Sequence, residues 1–236
     1  MSVPRPGDDP EPEISVSMIE RLIRGSPHRR TRFHDEKGNR VDLTGALYAP
    51  AAFATALLKA ALGIRLDRPM ISYRAARCLN ALIQPSWRIV EFGSGASTPW
   101  LARRCEFLLS IEDDPVWHGR VRARLCRHGF RHVRHELRAG PAYHSLAEFS
   151  DGYFDFALID GSARAACVAN AVPKIKPGGW LYLDNTDKDI GRPDGDMRRA
   201  EAALLEVVRP RGGMVRYFTD FAPGNFFVEQ GLLVRL

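Results

Sequence analysis

Four short apolar runs end in acids or amides, and these positions carry most of the chemistry the sequence offers. Glu91 stands in Ile89-Val90-Glu91-Phe92, and Glu112 follows Ser110-Ile111. Asp160 closes Phe154-Asp155-Phe156-Ala157-Leu158-Ile159, and Asp184-Asn185 follow Leu181-Tyr182-Leu183. Behind Glu91 comes Gly93-Ser94-Gly95-Ala96-Ser97-Thr98. Its two glycines let the backbone turn sharply and approach a ligand without Cβ interference. A helix start behind them would offer unpaired N–H groups to an anionic end. A buried carboxylate at Glu91 costs several kcal/mol unless it is satisfied, which points to a cationic ligand group nearby. Glu112, 21 residues further on, can accept both hydroxyls of a ribose in charge-assisted bonds worth roughly 1.5–3 kcal/mol. That spacing also suits dinucleotide binding, but Pro99 and Trp100 stand where the third glycine of that fingerprint would lie. Each acid has a plainer reading as a helix cap, of about equal weight for Asp184. Four together on one rim are harder to explain that way.

The elements that must position these groups follow from hydrophobic periodicity. Strands are expected at 87–92, 107–111, 131–137, 154–159 and 180–183, with a terminal pair at 214–219 and 226–236. Helices are expected at 98–104, 115–128, 145–149, 163–172 and 197–208. Strands alternating with helices imply a mainly parallel sheet covered on both faces, an α/β doubly wound domain, and the last hairpin adds an antiparallel edge. Ligands of such sheets bind at the carboxyl ends of the strands. Upstream, helices are expected at 14–24, 46–62 and 72–83, with a basic arm at 25–45. The expected organisation is a disordered tail at 1–13, a helical N-terminal extension at 14–85, and a ligand-binding domain at 86–236.

Composition narrows the class. The 236 residues are 45% hydrophobic and 26% charged, which excludes a wholly disordered or collagen-like chain. The net charge is +6, and 29 of the 34 cations are Arg. An excess this uniform is weak evidence for a polyanionic partner. Cys78, Cys105, Cys126 and Cys167 form no C-x-x-C pair and read as thiols in a reducing compartment. Residues 1–12 lack the apolar run of a signal peptide. The longest uncharged run, 16 residues between Asp42 and Lys59, is too short and too weakly apolar to span a bilayer. A cytoplasmic protein without a membrane partner is the expectation.

Taken together, the E-F-G-S-G turn, Glu112, F-A-L-I-D-G and K-P-G-G-W-L-Y-L-D-N resemble the class I S-adenosylmethionine-dependent methyltransferases, over roughly residues 71–236. The stretches I-S-Y-R-A-A-R and G-S-G-A-S-T-P-W look most like a bacterial subgroup acting on small molecules. The resemblance implies a Rossmann-like seven-stranded sheet of order 3-2-1-4-5-7-6 with strand 7 antiparallel. It implies S-adenosylmethionine as cofactor, with Glu91, Gly93, Ser94, Gly95, Ser97 and Thr98 around its methionine part. Glu112 and Asp113 would then lie at the ribose, and Asp160 and Gly161 near the sulfonium, with Asp160 as the catalytic group. Ser97 stands where many relatives have glycine. Asp160, Asp184 and Asn185 match the positions that bind a divalent cation in metal-dependent O-methyltransferases resembling the catechol enzymes. Three hard oxygens there would suit Mg²⁺. The lysine that follows in those enzymes is missing, since Gly161-Ser162-Ala163-Arg164 comes next. The other reading keeps Asp160 as an electrostatic partner of the sulfonium, with Asp184 and Asn185 closing a turn.

The expected reaction is methyl transfer to a small-molecule acceptor, with a hydroxyl oxygen favoured. An RNA or protein methyltransferase on the same fold is the first rival, and a non-catalytic nucleotide-binding module or an NAD-linked enzyme the second. Nucleic acid is disfavoured: the basic stretch 120–138 lacks interleaved aromatics and reads as an exposed helix face and an edge strand. Arg29, Arg30 and Arg32 keep RNA open. Residues 186–199 read equally as an acceptor lid or a solvated loop. Tyr73 reads as a core residue or one approaching the cofactor. The Ala-rich segment 46–62 could pack against its own core or against a second copy in a homo-oligomer.

Overall fold

The computed structural model describes residues 28–63 and 68–236. The expected tail at 1–13 and helix at 14–24 lie outside the described residues. Seven strands, β1 (Arg88–Phe92), β2 (Phe107–Glu112), β3 (Val133–Leu137), β4 (Phe154–Ile159), β5 (Ile175–Leu183), β6 (Val215–Phe221) and β7 (Val228–Arg235), form one sheet of order β3-β2-β1-β4-β5-β7-β6. β1 to β5 are parallel, and β7 runs antiparallel to both β5 and β6. The order reverses at β1, so the chain crosses first to one side and then to the other. That leaves a crevice outside the ends of β1 and β4.

The central strands are near-continuous apolar runs because both of their faces are covered. On one face, Val90, Phe92, Leu109, Ile111 and Ala157 pack with Cys167, Val168, Met197, Ala200, Leu204 and Val208. Those residues come from α6 (Arg164–Ala171) and α7 (Asp196–Val208). On the other face, Ile89, Leu108, Phe156, Leu158 and Tyr182 pack with Ile71, Ala75, Leu79, Trp100 and Leu101, the last four from α3 (Tyr73–Leu82) and α4 (Ser97–Ala102). α5 (Pro115–His128) turns Val121 and Leu125 inward. It starts at Asp114, whose side chain accepts from Trp117 N at 2.7 Å, and it stops at Gly129 in the left-handed region.

Three elements differ from expectation, each for a local reason. The helix expected at 46–62 begins only at Ala49, as α2 (Ala49–Leu62), and a short α1 (Leu43–Ala46) forms mostly within the segment expected as an arm. Pro50 has no N–H to continue a helix but suits the first turn of a new one. No helix forms at 145–149, where the Arg138 guanidinium takes the Ser145 carbonyl at 2.7 Å, an acceptor a helical turn would need. β5 starts at Ile175 rather than 180, running through Gly178 at φ +78° beside a register shift against β4.

Among the described residues no helix is long and apolar enough to cross a membrane. α2 buries Ala52 and leaves Phe53, Leu57 and Leu62 exposed, beside Leu43 and Leu47. Tyr73 stacks on Tyr48 with ring centroids 5.1 Å apart, away from the crevice.

Candidate active site

Glu91 alternates along β1 with Val90 and Phe92, so its side chain enters the face covered by α4. It is fully buried. Its carboxylate accepts from Ser110 Oγ at 2.6 Å, from Thr98 Oγ1 at 2.7 Å and from Ser97 Oγ. Burial pushes its pKa up to about 7 against the pull of those three donors, and the charge of Asp160 adds to the rise. Its hydrogen-bond partners are three hydroxyls, with no cationic group among them.

The loop behind Glu91 rests on an approach of backbone to backbone. Gly93 sits at φ +89°, and its N–H donates to Ile111 O at 2.9 Å. A Cβ on Gly93 would lie 2.6 Å from Gly161 Cα, and a Cβ on Gly161 would lie 1.9 Å from Tyr143 Oη. Both positions therefore require glycine. The Tyr143 hydroxyl in turn accepts from Ser162 N at 3.2 Å. The turns after β1 and β4 are thus locked together at the switch point. The N–H of Gly95, expected to be open to a ligand, donates to Thr98 Oγ1 at 2.9 Å.

At the end of β2 the Glu112 carboxylate is held on both sides. Ser94 N and Oγ donate to Oε2 at 2.9 and 3.0 Å, and Asp113 N and Asp114 N donate to Oε1 at 3.1 and 3.0 Å. The Trp117 indole N–H donates to Ser94 O at 2.6 Å, tying the first turn of α5 to the glycine loop. The result is a cleft of about 280 Å³ lined by Gly93, Ser94, Gly95, Ala96, Ser97, Glu112, Asp113, Asp160, Gly161, Ser162, Met70 and Trp117. Eight of the ten expected cofactor residues line it. Glu91 and Thr98 do not: they stand behind the loop and support it. Met70, Ala96, Trp117 and Ser162 complete the lining. Trp117 had a signal, three residues into a helix that begins right after the acid of β2; Met70 lies far upstream and had none.

Across the cleft, Asp160, Asp184 and Asn185 come together as expected, but with a partner the sequence reading overlooked. Ala163 adopts a left-handed conformation at φ +46°, and the Asp196 carboxylate binds Arg164 N at 2.6 Å and Ala165 N at 3.2 Å. Together these fix the start of α6 so that the Arg164 side chain folds back over the strand ends. Its Nε donates to Gly161 O at 2.9 Å, and one terminal nitrogen donates to the Asp184 carbonyl. The other donates to Asp160 Oδ1 and Asn185 Oδ1, both at 3.2 Å. Asp184 is buried and accepts from the Tyr182 hydroxyl at 3.1 Å. Burial raises its pKa well above the usual carboxylate range, and the charges of Asp160 and Glu229 add to this. Burial also raises that of Asp160, opposed by Arg164. The expected cation-binding set is therefore cross-linked by a guanidinium and does not fit a metal as it stands. Among the described residues no group of three or more His, Cys, Asp or Glu is placed to hold a metal.

The segment expected as lid or loop is neither throughout. Thr186 and Asp187 are fully buried. Thr186 N donates to Gln230 O at 2.7 Å, and Asp187 receives the Arg29 guanidinium at 3.3 Å. Only 190–194 lies largely at the surface. Arg29, which had kept RNA open, is itself buried between Glu36 and Asp187. In the basic stretch, Arg134 and Arg138 pair with Glu136 and Glu148 along the edge strand β3.

Residues 90–186 match a family model described as a methyltransferase domain. No curated protein sequence matches the chain. Among solved structures, the chain is similar to an O-methyltransferase of Bacillus cereus in complex with SAH, at 15% identity and a TM-score of 0.60, covering 82% of this chain and 96% of that one. The O-methyltransferase TomG of Streptomyces achromogenes, involved in tomaymycin synthesis and in complex with SAM, matches at 16% identity and a TM-score of 0.56, over 82% and 95%. An rRNA methylase of Streptococcus thermophilus matches at 13% identity and a TM-score of 0.51, over 69% and 94%. The matched segment marks a methyltransferase domain, and the sheet order together with these likenesses gives the chain a class I methyltransferase fold.

Proposed function

We propose that the protein methylates a hydroxyl of a small molecule, with residues 86–236 holding the cofactor and the described part of 14–85 walling the acceptor side. The observation that carries the cofactor assignment is the Glu112 cleft. Its buried carboxylate, pre-set by four N–H and O–H donors, faces backbone that no Cβ obstructs, and the Trp117 ring stands beside it. That donor and acceptor set fits a ribose diol with an aromatic base next to it. S-adenosylmethionine, when bound, supplies a methyl group on a sulfonium: the acceptor's lone pair forms the new bond, the C–S pair leaves on sulfur as a neutral thioether, and the acceptor's proton must be taken up.

Gly93 and Gly161 keep the two loops close enough for cofactor and acceptor to meet. Asp160 lines the cleft next to where a sulfonium would lie and is paired there with Arg164. There it can hold the sulfonium electrostatically and take the hydroxyl proton. Alignment of donor and acceptor supplies the larger share of the barrier reduction, as much as roughly 7–11 kcal/mol. A small molecule is favoured over RNA because Arg29 is buried in an ion pair and the edge-strand Arg134 and Arg138 are paired with Glu136 and Glu148. The exposed apolar face of α2 supports association with a second copy. A thermal-shift panel tests the reading. S-adenosylhomocysteine at 100 times its Kd stabilises by about 2.7 kcal/mol, or roughly 5–10 °C for a chain of this size. Stabilisation by NAD instead would overturn it.

A further inference from the structure

We propose that the guanidinium of Arg164 is the resident cation of the acceptor site and that methyl transfer by this protein needs no divalent metal. The inference rests on the methyltransferase reading above and concerns how its acceptor side is built. A divalent cation on three hard oxygens does two things: it neutralises clustered negative charge, and it gives a substrate oxygen a positive group to bind. Arg164 is placed for both. It bonds to the side chains of Asp160 and Asn185, which the metal reading needs as ligands, and to the main-chain carbonyl of Asp184.

The placement is built rather than incidental. Ala163 holds a left-handed conformation that a side-chain-bearing residue adopts at a cost. The Asp196 carboxylate, from a different helix, anchors the two N–H groups that follow. With its Nε spent on Gly161 O, the fork is fixed in its own plane against the strand ends. The Arg164 side chain is only 14% exposed, so a hydrated ion could enter only by displacing it and stranding a buried guanidinium. Arg164 also has charge +1 where Mg²⁺ would supply +2. Four of the five guanidinium N–H groups are already spent on Gly161 O, Asp184 O, Asp160 and Asn185, which leaves one for an acceptor oxygen, whereas a hard ion clamps two neighbouring oxygens in its coordination shell. The site therefore suits an acceptor with a single hydroxyl at the reacting position and has no built preference for a catechol-like diol. In the transfer itself the bonds made and broken are those already stated, and the acceptor proton passes to Asp160. Arg164 gains or loses no proton and acts as a positioning and charge-balancing group.

Manganese titration followed by electron paramagnetic resonance reads this directly, without a known acceptor. The full-length wild-type protein should leave the signal of free Mn²⁺ undiminished at 1:1 protein to metal and millimolar concentration, with or without S-adenosylhomocysteine. Arg164→Met should bind Mn²⁺ at least tenfold more tightly than wild type, because it frees the oxygens and leaves the acidic cluster uncompensated. Stoichiometric Mn²⁺ binding by wild type that is lost in Asp184→Asn would overturn the proposal, and that outcome does not depend on whether Arg164→Met folds. A folded Arg164→Met that binds Mn²⁺ no better than wild type would also overturn it. Binding of S-adenosylhomocysteine is measured alongside: its absence in wild type would sink the cofactor reading, while the metal titration alone decides the role of Arg164.

Discussion

Glu91 makes the stability of this fold depend on pH in a calculable way. The carboxyl is fully buried at the centre of the sheet, and its pKa is raised from an ordinary 4.5 to about 7, chiefly by loss of solvent. A raised carboxyl favours the folded state only while it is protonated. Its contribution is fully present below 4.5 and is lost as pH rises through about 7. At about 1.4 kcal/mol per unit, the change between pH 5 and pH 8 comes to about 2.5 kcal/mol. Glu91→Gln keeps the shape and removes the titration, and the hydroxyls of Ser97, Thr98 and Ser110 can rotate to accept from an amide. Urea denaturation of both proteins at pH 5, 6, 7 and 8 isolates the effect, because titrating groups that do not interact with Glu91 cancel in the difference. Wild type should lose about 2.5 kcal/mol relative to the variant across that range, or roughly 5–10 °C in Tm. Parallel curves, within about 0.5 kcal/mol at all four pH values, would show that Glu91 is not held as described and that its three hydroxyls fully compensate its burial.

The remaining predictions concern the site and its supports. Gly161→Ala should abolish the thermal shift with S-adenosylhomocysteine, because its Cβ has no room beside Tyr143 Oη and Gly93; an undiminished shift would mean the β1 and β4 loops do not meet as described. Asp220→Asn should cost about 1–3 kcal/mol in urea denaturation, since the fully buried Asp220 carboxylate takes both the N–H and the guanidinium of Arg74. Wild-type stability in the variant would show that Asp42 and the Thr219 carbonyl, which Arg74 also reaches, suffice to hold it. Leu57→Glu on α2 should lower the sedimentation coefficient if that face joins two copies, and leave it unchanged if the protein is monomeric.

The fold was readable because its signals are local and repeated. β4 and α5 run over the residues their apolar runs and caps mark, Phe154–Ile159 and Pro115–His128. What escaped was decided by contacts distant in the chain. Nothing near Ser145 announces that Arg138 will take its carbonyl, and nothing near Asp187 announces Arg29, 158 residues away. In the site, the residue types at the strand ends told which positions gather at the rim, but not which way each carboxylate is used. Glu91 looks in the sequence like a ligand contact and turns inward to three hydroxyls. Arg164 looks like a departure from a motif, and only the left-handed turn at Ala163 brings its fork over Asp160 and Asn185.

Calorimetric titration of S-adenosylhomocysteine into the wild-type protein and into Glu112→Gln tests the central claim most directly. Wild type should bind one equivalent. Loss of the charged acceptor, at roughly 1.5–3 kcal/mol for hydrogen bonds to an ionised group, should weaken binding by at least tenfold in the variant. Equal affinity for the two proteins, or no binding to either, would place the cofactor outside the Glu112 cleft.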